Sequence, residues 1–315
     1  MENLTHTLVG LMMARCGLEK TTVRGAGMMM LAANAPDVDA VFWFNRLHYL
    51  DYHRSYTHSF ACAPLVALLP MALARAQFSW KSYASAIAGV LSHLLLDFTN
   101  PYGIQLLLPF SHRRLMLDIT NIADLWIWTI LFIGLLAPWF GKTFGKMLAK
   151  MLDRGAGAIR SPRARWAGIA LVALVTYEGG RFAMHEKAVE MLASRTFRGA
   201  APTQVIAVPA DFIHPARWKG IARSPGYVTI VPLNVQDGYD ASQELTYEDS
   251  APGDVIAAAR RLPEFQTMIR FSQAPFWKAT PVAGGTLVEL MDLRYGTPDD
   301  PGFAAISGVL PAIRR

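Results

Sequence analysis

A mainly α fold, a multi-pass transmembrane helical bundle followed by a small C-terminal α+β soluble domain, is what the sequence predicts, on three observations. Apolar residues crowd into the first half. Basic residues crowd between 142 and 165. Beyond about residue 200 the pattern becomes an ordinary mixture punctuated by Pro, Gly and Asp. A chain of 315 residues has room for two domains of ordinary size.

The apolar segments run in order through 4–13, 22–34, 57–74, 83–98, 125–140 and 167–184. Most are shorter than the ~20 residues that cross a bilayer, but their succession favours a membrane over one buried helix of a soluble bundle. Lys142, Lys146, Lys150, Arg154, Arg160, Arg163 and Arg165 face the single acid Asp153, so the positive-inside rule makes this linker cytoplasmic. Counting back from it places the loops 35–56 and 99–124, and the N-terminus, on the outer side. The expected division is a membrane helical domain at 1–140, a basic linker at 141–166 with an amphipathic surface helix, a transmembrane helix at 167–184 and an extracytoplasmic domain at 185–315. Within that last domain, 205–208, 227–231 and 286–292 read as strands, and 251–259 and 263–271 as helices.

The start lacks the basic-then-apolar order of a secretory signal and is expected to be retained. Cys16 and Cys62 both lie in apolar segments and support neither a disulfide framework nor a thiolate metal site. The net charge of +6 sits largely beside apolar helices, which favours anionic lipid over nucleic acid as the partner. There is no Gly-rich phosphate loop, Gly-x-Ser-x-Gly elbow or HExxH motif; His185-Glu186 lacks the second histidine.

The chemistry-bearing residues cluster early: His6; Asp37 and Asp39; His53 and His58; His93 and Asp97; Asp118 and Asp124. The topology read from Lys and Arg alone puts all of them at one face. Residues four apart share a helix face, so Ser85, Gly89, His93 and Asp97 form one stripe, and His6, Gly10 and Ala14 form another. Small residues in such stripes let helices approach closely, and an ionisable pair in an apolar helix is costly enough to mark a site. Ser55 or Thr57 is expected to cap the helix that follows. Taken singly, His6 fits a capping role, Asp37 and Asp39 fit turn carboxylates, and Asp118 and Asp124 fit interfacial or capping groups. Together, imidazoles with carboxylates suit zinc, or manganese or iron. The expected metal set is His6, Asp37, Asp39, His53, His58, His93 and Asp97, enough donors for two or more divalent ions. Asp39 and Asp97 are candidates to orient a ligand or take a proton, and Arg54 to hold an anionic group of the substrate. Arg113 and Arg114 are expected to meet lipid phosphates.

The stretches Asn3-Leu4-Thr5-His6-Thr7, Pro36-Asp37-Val38-Asp39, His53-Arg54-Ser55-Tyr56-Thr57-His58-Ser59 and Ser92-His93-Leu94-Leu95-Leu96-Asp97-Phe98-Thr99-Asn100-Pro101-Tyr102-Gly103 resemble the bacterial inner-membrane metal-dependent hydrolases of the YdjM/YfhP-like family. The resemblance covers residues 1–125, and the C-terminal part near Asp292-Leu293-Arg294 is like the longer members. It implies a multi-pass inner-membrane protein with hydrolase activity and a metal site at His6, Asp37, Asp39, His53, His58, His93 and Asp97. Ser55 stands where the family commonly has glycine, and His112 where it has aspartate. The His-x-x-x-Asp spacing is also similar, distantly, to that of the three-zinc phospholipases C and P1-type nucleases.

The function these readings predict is a membrane-bound metallohydrolase with its site at the outer face, cleaving a phosphoester of a lipid or lipid-linked substrate. A membrane metal-binding or regulatory protein whose C-terminal domain docks a partner is the alternative, and a transporter a weaker one. Substrate, metal identity and oligomeric state are not written in these residues.

Overall fold

The structure, a computed structural model, describes residues 1–42, 46–151 and 163–311. Much of the expected amphipathic linker therefore lies outside the described residues. The chain divides into two compact units, Met1–Asp39 with Arg54–Arg181, and Ala40–His53 with Phe182–Arg315.

In the first unit, α1 (Asn3–Arg15) starts at Glu2, whose carboxylate accepts from the backbone N–H of Leu4 and Thr5. α2 (Gly25–Ala32) packs against α1 at Gly10, where a Cβ would stand 2.7 Å from the Met29 carbonyl oxygen. The first unit continues after α3 (Arg46–Tyr52), which belongs to the second, with two short helices, α4 (Ala63–Val66) and α5 (Leu68–Leu73). α6 (Trp80–Phe98) opens on a reciprocal Ser79/Ser82 capping box and buries one stripe, Ser82, Ser85, Ala86, Gly89, Val90, His93 and Asp97, at helical spacing. At Gly89 a Cβ would lie 2.6 Å from that of Ala32. The two glycines thus let α1, α2 and α6 approach closely, as the small-residue stripes predict, and this brings His6 and His93 face to face. α7 (Leu125–Met151) is capped by Asp124, which accepts from Trp126 N at 2.9 Å and Ile127 N at 3.2 Å. α8 (Arg163–Ala193) packs on it where Gly134 meets Ala170, and Tyr177 Oη bonds the same Asp124 at 3.0 Å.

The expected multi-pass bundle is not what forms. Among the described residues, one helix is long and apolar enough to cross a membrane, at Leu125–Thr143. A second span arises only if Arg46–His58 and Ala63–Leu73, bent by 87° at their break, count as one. The reason is physical. The segment 22–34 yields a helix of 8 residues, about 12 Å long. The segment 57–74 breaks into short pieces. α6 carries His93 and Asp97, and α8 carries Glu178 and Arg181, within stretches that read as apolar in outline.

Among its described residues, the second unit holds two antiparallel sheets. β1 (Gln204–Pro209), β2 (Arg217–Ser224), β3 (Tyr227–Asn234) and β4 (Gly238–Tyr239) lie in that order, with β5 (Leu245–Glu248) also paired to β3. Register is set by pairs such as Ile221 with Ile230. After α9 (Gly253–Ala259) and α10 (Pro263–Phe271), a three-stranded sheet forms from β6 (Pro275–Val282), β7 (Gly285–Asp292) and β8 (Ala305–Pro311). The β6–β7 turn needs Gly284, at φ 89°. One face of the larger sheet packs Trp218, Ala222 and Val231 on Ala188 and Leu192 of α8, and the other packs Ile221, Val228 and Ile230 on Phe276, Met291 and Leu293. The sequence reading finds α10 at its observed bounds and the cores of β1, β3 and β7, but not β2, β4, β5, β6 or β8. Arg217–Ser224 escapes because its alternation is interrupted by charge at Lys219 and Arg223.

Candidate metal centre

Four side chains converge in the first unit. Asp37 comes from the short 3-10 helix Ala35–Phe42, His58 from the 3-10 turn Tyr56–His58, and His93 and Asp97 from one face of α6. One donor atom of each lies within 4.8 Å of the others. The two imidazole Nε2 atoms are 3.1 Å apart. Asp37 Oδ1 is 3.4 Å from His58 Nε2 and 3.5 Å from His93 Nε2, and Asp97 Oδ2 is 3.5 and 3.4 Å from the same atoms. Four ligands at the ~2.0–2.1 Å bonds usual for zinc with nitrogen or oxygen sit roughly 3.3–3.4 Å apart in a tetrahedron. Five of the six edges of such a tetrahedron match, and the sixth, between the Asp37 and Asp97 oxygens, lies within 4.8 Å.

The far side of each ring is arranged to match. His93 Nδ1 lies 2.8 Å from the Ala33 carbonyl oxygen, which can only accept, so Nδ1 carries the proton and Nε2 presents a lone pair. The Thr57 hydroxyl donates to Asp39 Oδ2 at 2.7 Å, leaving its oxygen to accept from His58 Nδ1 at 3.0 Å. Asp39 also takes the Arg54 N–H at 3.2 Å. Against its burial, the surrounding carboxylates push the His58 pKa up to about 10, so without a metal a proton is shared between the two Nε2 atoms. A divalent cation would take that proton's place, and oriented imidazoles of this kind are the usual support of a metal ligand.

His6 stacks on His93 with ring centroids 3.7 Å apart and planes 18° from parallel. It is fully buried, neither ring nitrogen makes a hydrogen bond, and Nε2 is 3.4 Å from Asp97 Oδ1. Burial and then His93 push its pKa down to about 3. Burial alone would raise the carboxyls of Asp37 and Asp97. For Asp97, the Arg54 guanidinium, the Met1 amino group and His93 outweigh burial, and for Asp37 the close approach of the His58 and His93 rings does, so both stay ionised well below the usual range. Arg54 Nε stands 2.9 Å from Asp97 Oδ2, and its Nη1 donates to Asn100 Oδ1 at 2.9 Å.

Of the expected site residues, the structure thus brings Asp37, His58, His93 and Asp97 into one donor set, with His6, Asp39 and Arg54 around it. His53 ends the second unit's first segment and stacks on Tyr49 at 4.4 Å. Asp124 is a helix cap. Ser55 caps nothing, and Thr57 serves His58 instead of a helix start. Arg114 is buried, not turned to lipid, and donates to the Gly103 carbonyl at 3.3 Å. Sequence reading missed Asn100 and Tyr102, although both lie in the Asn-Pro-Tyr-Gly turn directly after the His93 helix. It also missed Glu178, whose carboxylate oxygens are buried without a hydrogen-bond partner.

No solved structure matches the chain. It is 31% identical over 117 residues to the uncharacterized protein YfhP of Bacillus subtilis (strain 168), a match that covers 35% of this chain and 35% of that protein's length. The family model described as YdjM inner membrane protein matches residues 1–188, which includes every residue of the donor set, and the chain therefore belongs to the YdjM inner membrane protein family.

Proposed function

We propose that this inner-membrane protein is a metal-dependent hydrolase acting on a phosphoester of a lipid or lipid-linked substrate. The near-tetrahedral set of Asp37, His58, His93 and Asp97 around a common centre carries the reading. Zinc suits these donors best, with manganese or iron as substitutes. A divalent cation there would lower the pKa of water toward ~7 and polarise a phosphoryl oxygen. The chain's own residues do the rest. The Ala33 carbonyl and the Thr57–Asp39 pair hold the two imidazoles in orientation, with Asp39 raising the basicity of His58 through Thr57, and Arg54 offers a fixed cation to an anionic group.

By the positive-inside rule we take the site to lie on the outer side of the membrane. Asp124 precedes the candidate span, and Lys142, Lys146 and Lys150 accumulate at its far end. Glu2 N donates to Ile122 O at 3.1 Å and Trp128 Nε1 to Glu2 at 2.7 Å, which fastens the start of α1 to the Asp124 end.

A second reading is a metal-binding protein without catalysis, in which the C-terminal unit docks a partner. Four protein donors already complete a tetrahedral shell, whereas catalytic zinc keeps a position open. One experiment separates the two. Metal analysis of the purified full chain beside His93→Ala, followed by a screen of phosphoester and peptide substrates, is expected to give at least one ion per wild-type chain and phosphoester turnover, both lost in the variant. A count above one carries the two-ion form. Bound metal without turnover favours the second reading, and a metal-free wild type ends both.

A further inference from the structure

Beside the donor set, two buried arginines share one aromatic ring. The Arg54 guanidinium carbon lies 4.7 Å from the centre of the Tyr102 ring and that of Arg114 lies 5.5 Å from it. Both side chains are almost wholly buried, at 3% and 7% exposure. Arg54 is paired with Asp97 through its Nε, at 2.9 Å, and the second guanidinium against the same ring brings a further positive charge beside the donor set.

The backbone is built to hold it. Arg54 sits at φ 62°, a left-handed conformation costly for a residue with a Cβ. It is kept there by its N–H on Asp39 and by its carbonyl, which accepts from Gln105 N at 3.1 Å. Asn100 Oδ1 accepts both from Arg54 Nη1 and from Tyr102 N, at 2.9 and 3.0 Å, tying the first arginine to the ring. Ile104 and Leu115 exchange two backbone hydrogen bonds, of 3.0 and 2.8 Å, which fix Arg114 beside the ring from the other strand of that loop.

We propose that Arg114 and Tyr102 form a second anion place next to the one at Arg54, so that the site takes a diphosphate: one phosphoryl group at Arg54 and the metal donors, the other at Arg114. Planar guanidinium forks are the usual partners of phosphoryl oxygens, and a second one against the same ring adds a place for a second phosphoryl group that Arg54 alone does not offer. The proposal rests on the hydrolase reading for the identity of the first place only. The diphosphate could be soluble or the headgroup of a lipid.

The test is titration of the metal-loaded full chain in detergent with inorganic phosphate and inorganic pyrophosphate, and with phosphatidylcholine vesicles carrying either phosphatidic acid or diacylglycerol pyrophosphate. Metal content is measured again afterwards. Wild type is expected to bind pyrophosphate about tenfold or more tighter than phosphate, the worth of one charge-assisted contact. Arg114→Gln is expected to erase that preference while phosphate affinity and metal content stay unchanged. Arg114→Lys keeps the charge without the fork and decides the matter if the Gln variant melts early; it is expected to keep its fold and lose most of the preference. A preference seen only with vesicles assigns a lipid source, and one seen only in solution a soluble one. Equal wild-type affinities, or a preference that survives in both variants, overturn the proposal. A wild type that holds no metal ends the hydrolase reading alone, since the same titration still reads the two-arginine place.

Discussion

Each unit buries a carboxylate with an arginine, and the two pairs differ in what is left over. In the second unit, Asp292 accepts from Gln273 N and Arg294 N, both at 3.1 Å, and from Arg294 Nη2 at 2.7 Å, while Arg294 also lies over the Phe271 and Tyr295 rings. In the first unit, Asp97 Oδ1 accepts from the Met1 amino group and from Asn100 Nδ2, but Oδ2 has no hydrogen bond of proper geometry although Arg54, His58 and His93 each bring a nitrogen toward it, and the stacked His6 makes none at all. A buried polar group that is fully satisfied holds a fold together. One that leaves lone pairs aimed at a common point is set up for something else, since leaving it so costs stability.

Substitution should separate the two pairs. Asp97→Asn is expected to reduce bound metal to background, read by elemental analysis, because the donor is lost from a set of four. Asp292→Asn should leave metal content unchanged. Arg294→Ala, which strands a buried carboxylate, should cost about 3–5 kcal/mol in denaturant unfolding of the second unit. Should Arg294→Ala strip the metal, or Asp97→Asn leave it, the two pairs would not differ in kind.

The next effect concerns how the cluster is brought together. Gly89→Val places two methyl groups where a single Cβ already comes within 2.6 Å of Ala32. About 1–3 kcal/mol of stability should be lost to overpacking, with metal affinity falling too, since His93 is one turn further along α6. Gly27, in α2 with nothing within 4 Å of an added Cβ, is the control, and Gly27→Ala should leave metal affinity unchanged and raise stability by about 0.4–1 kcal/mol.

Thr57→Val probes the outer arrangement without touching a donor. It removes the hydroxyl between Asp39 and His58 at equal size, and loss of such a support typically lowers metal affinity about 10–100-fold. A competition titration with a zinc chelator reads it directly, and an unchanged affinity would make the Thr57–Asp39 pair irrelevant to the centre.

How much of this is legible in the sequence follows the same division. The stripes Ser85-Gly89-His93-Asp97 and His6-Gly10-Ala14 are local, carried by helical periodicity, and they foretell both the close helix approach and the donors that sit at its end. The Asp37 and His58 contributions were visible as residue types but not as geometry, because 3-10 turns leave no periodic signal. The number of spans was misread since runs such as 22–34 and 57–74 are apolar in composition, while composition does not reveal where a helix breaks. Arg114 looked like a surface cation because its partner, the Tyr102 ring, is reached only through the Ile104–Leu115 bridge. Nor does sequence show that residues 40–53, set between donor residues, belong by contact to the second unit.

That last segment supplies the smallest expected effect. Asp51, on α3, receives Arg270 of α10 through two hydrogen bonds, of 3.0 and 2.6 Å, and Arg270 is about half exposed. A bidentate pair open to solvent gains little over hydration, so Asp51→Ala should cost only about 0.2–1 kcal/mol, and less at high salt. Leu50, 2% exposed on the same helix, buries apolar surface instead, and Leu50→Ala should cost about 2–5 kcal/mol. Chemical unfolding of the two variants side by side checks the ranking. If Asp51→Ala proved the more damaging, α3 would be held to the second unit by charge and not by packing, and the contrast between a satisfied structural pair and an unsatisfied functional one would have to extend to the surface as well.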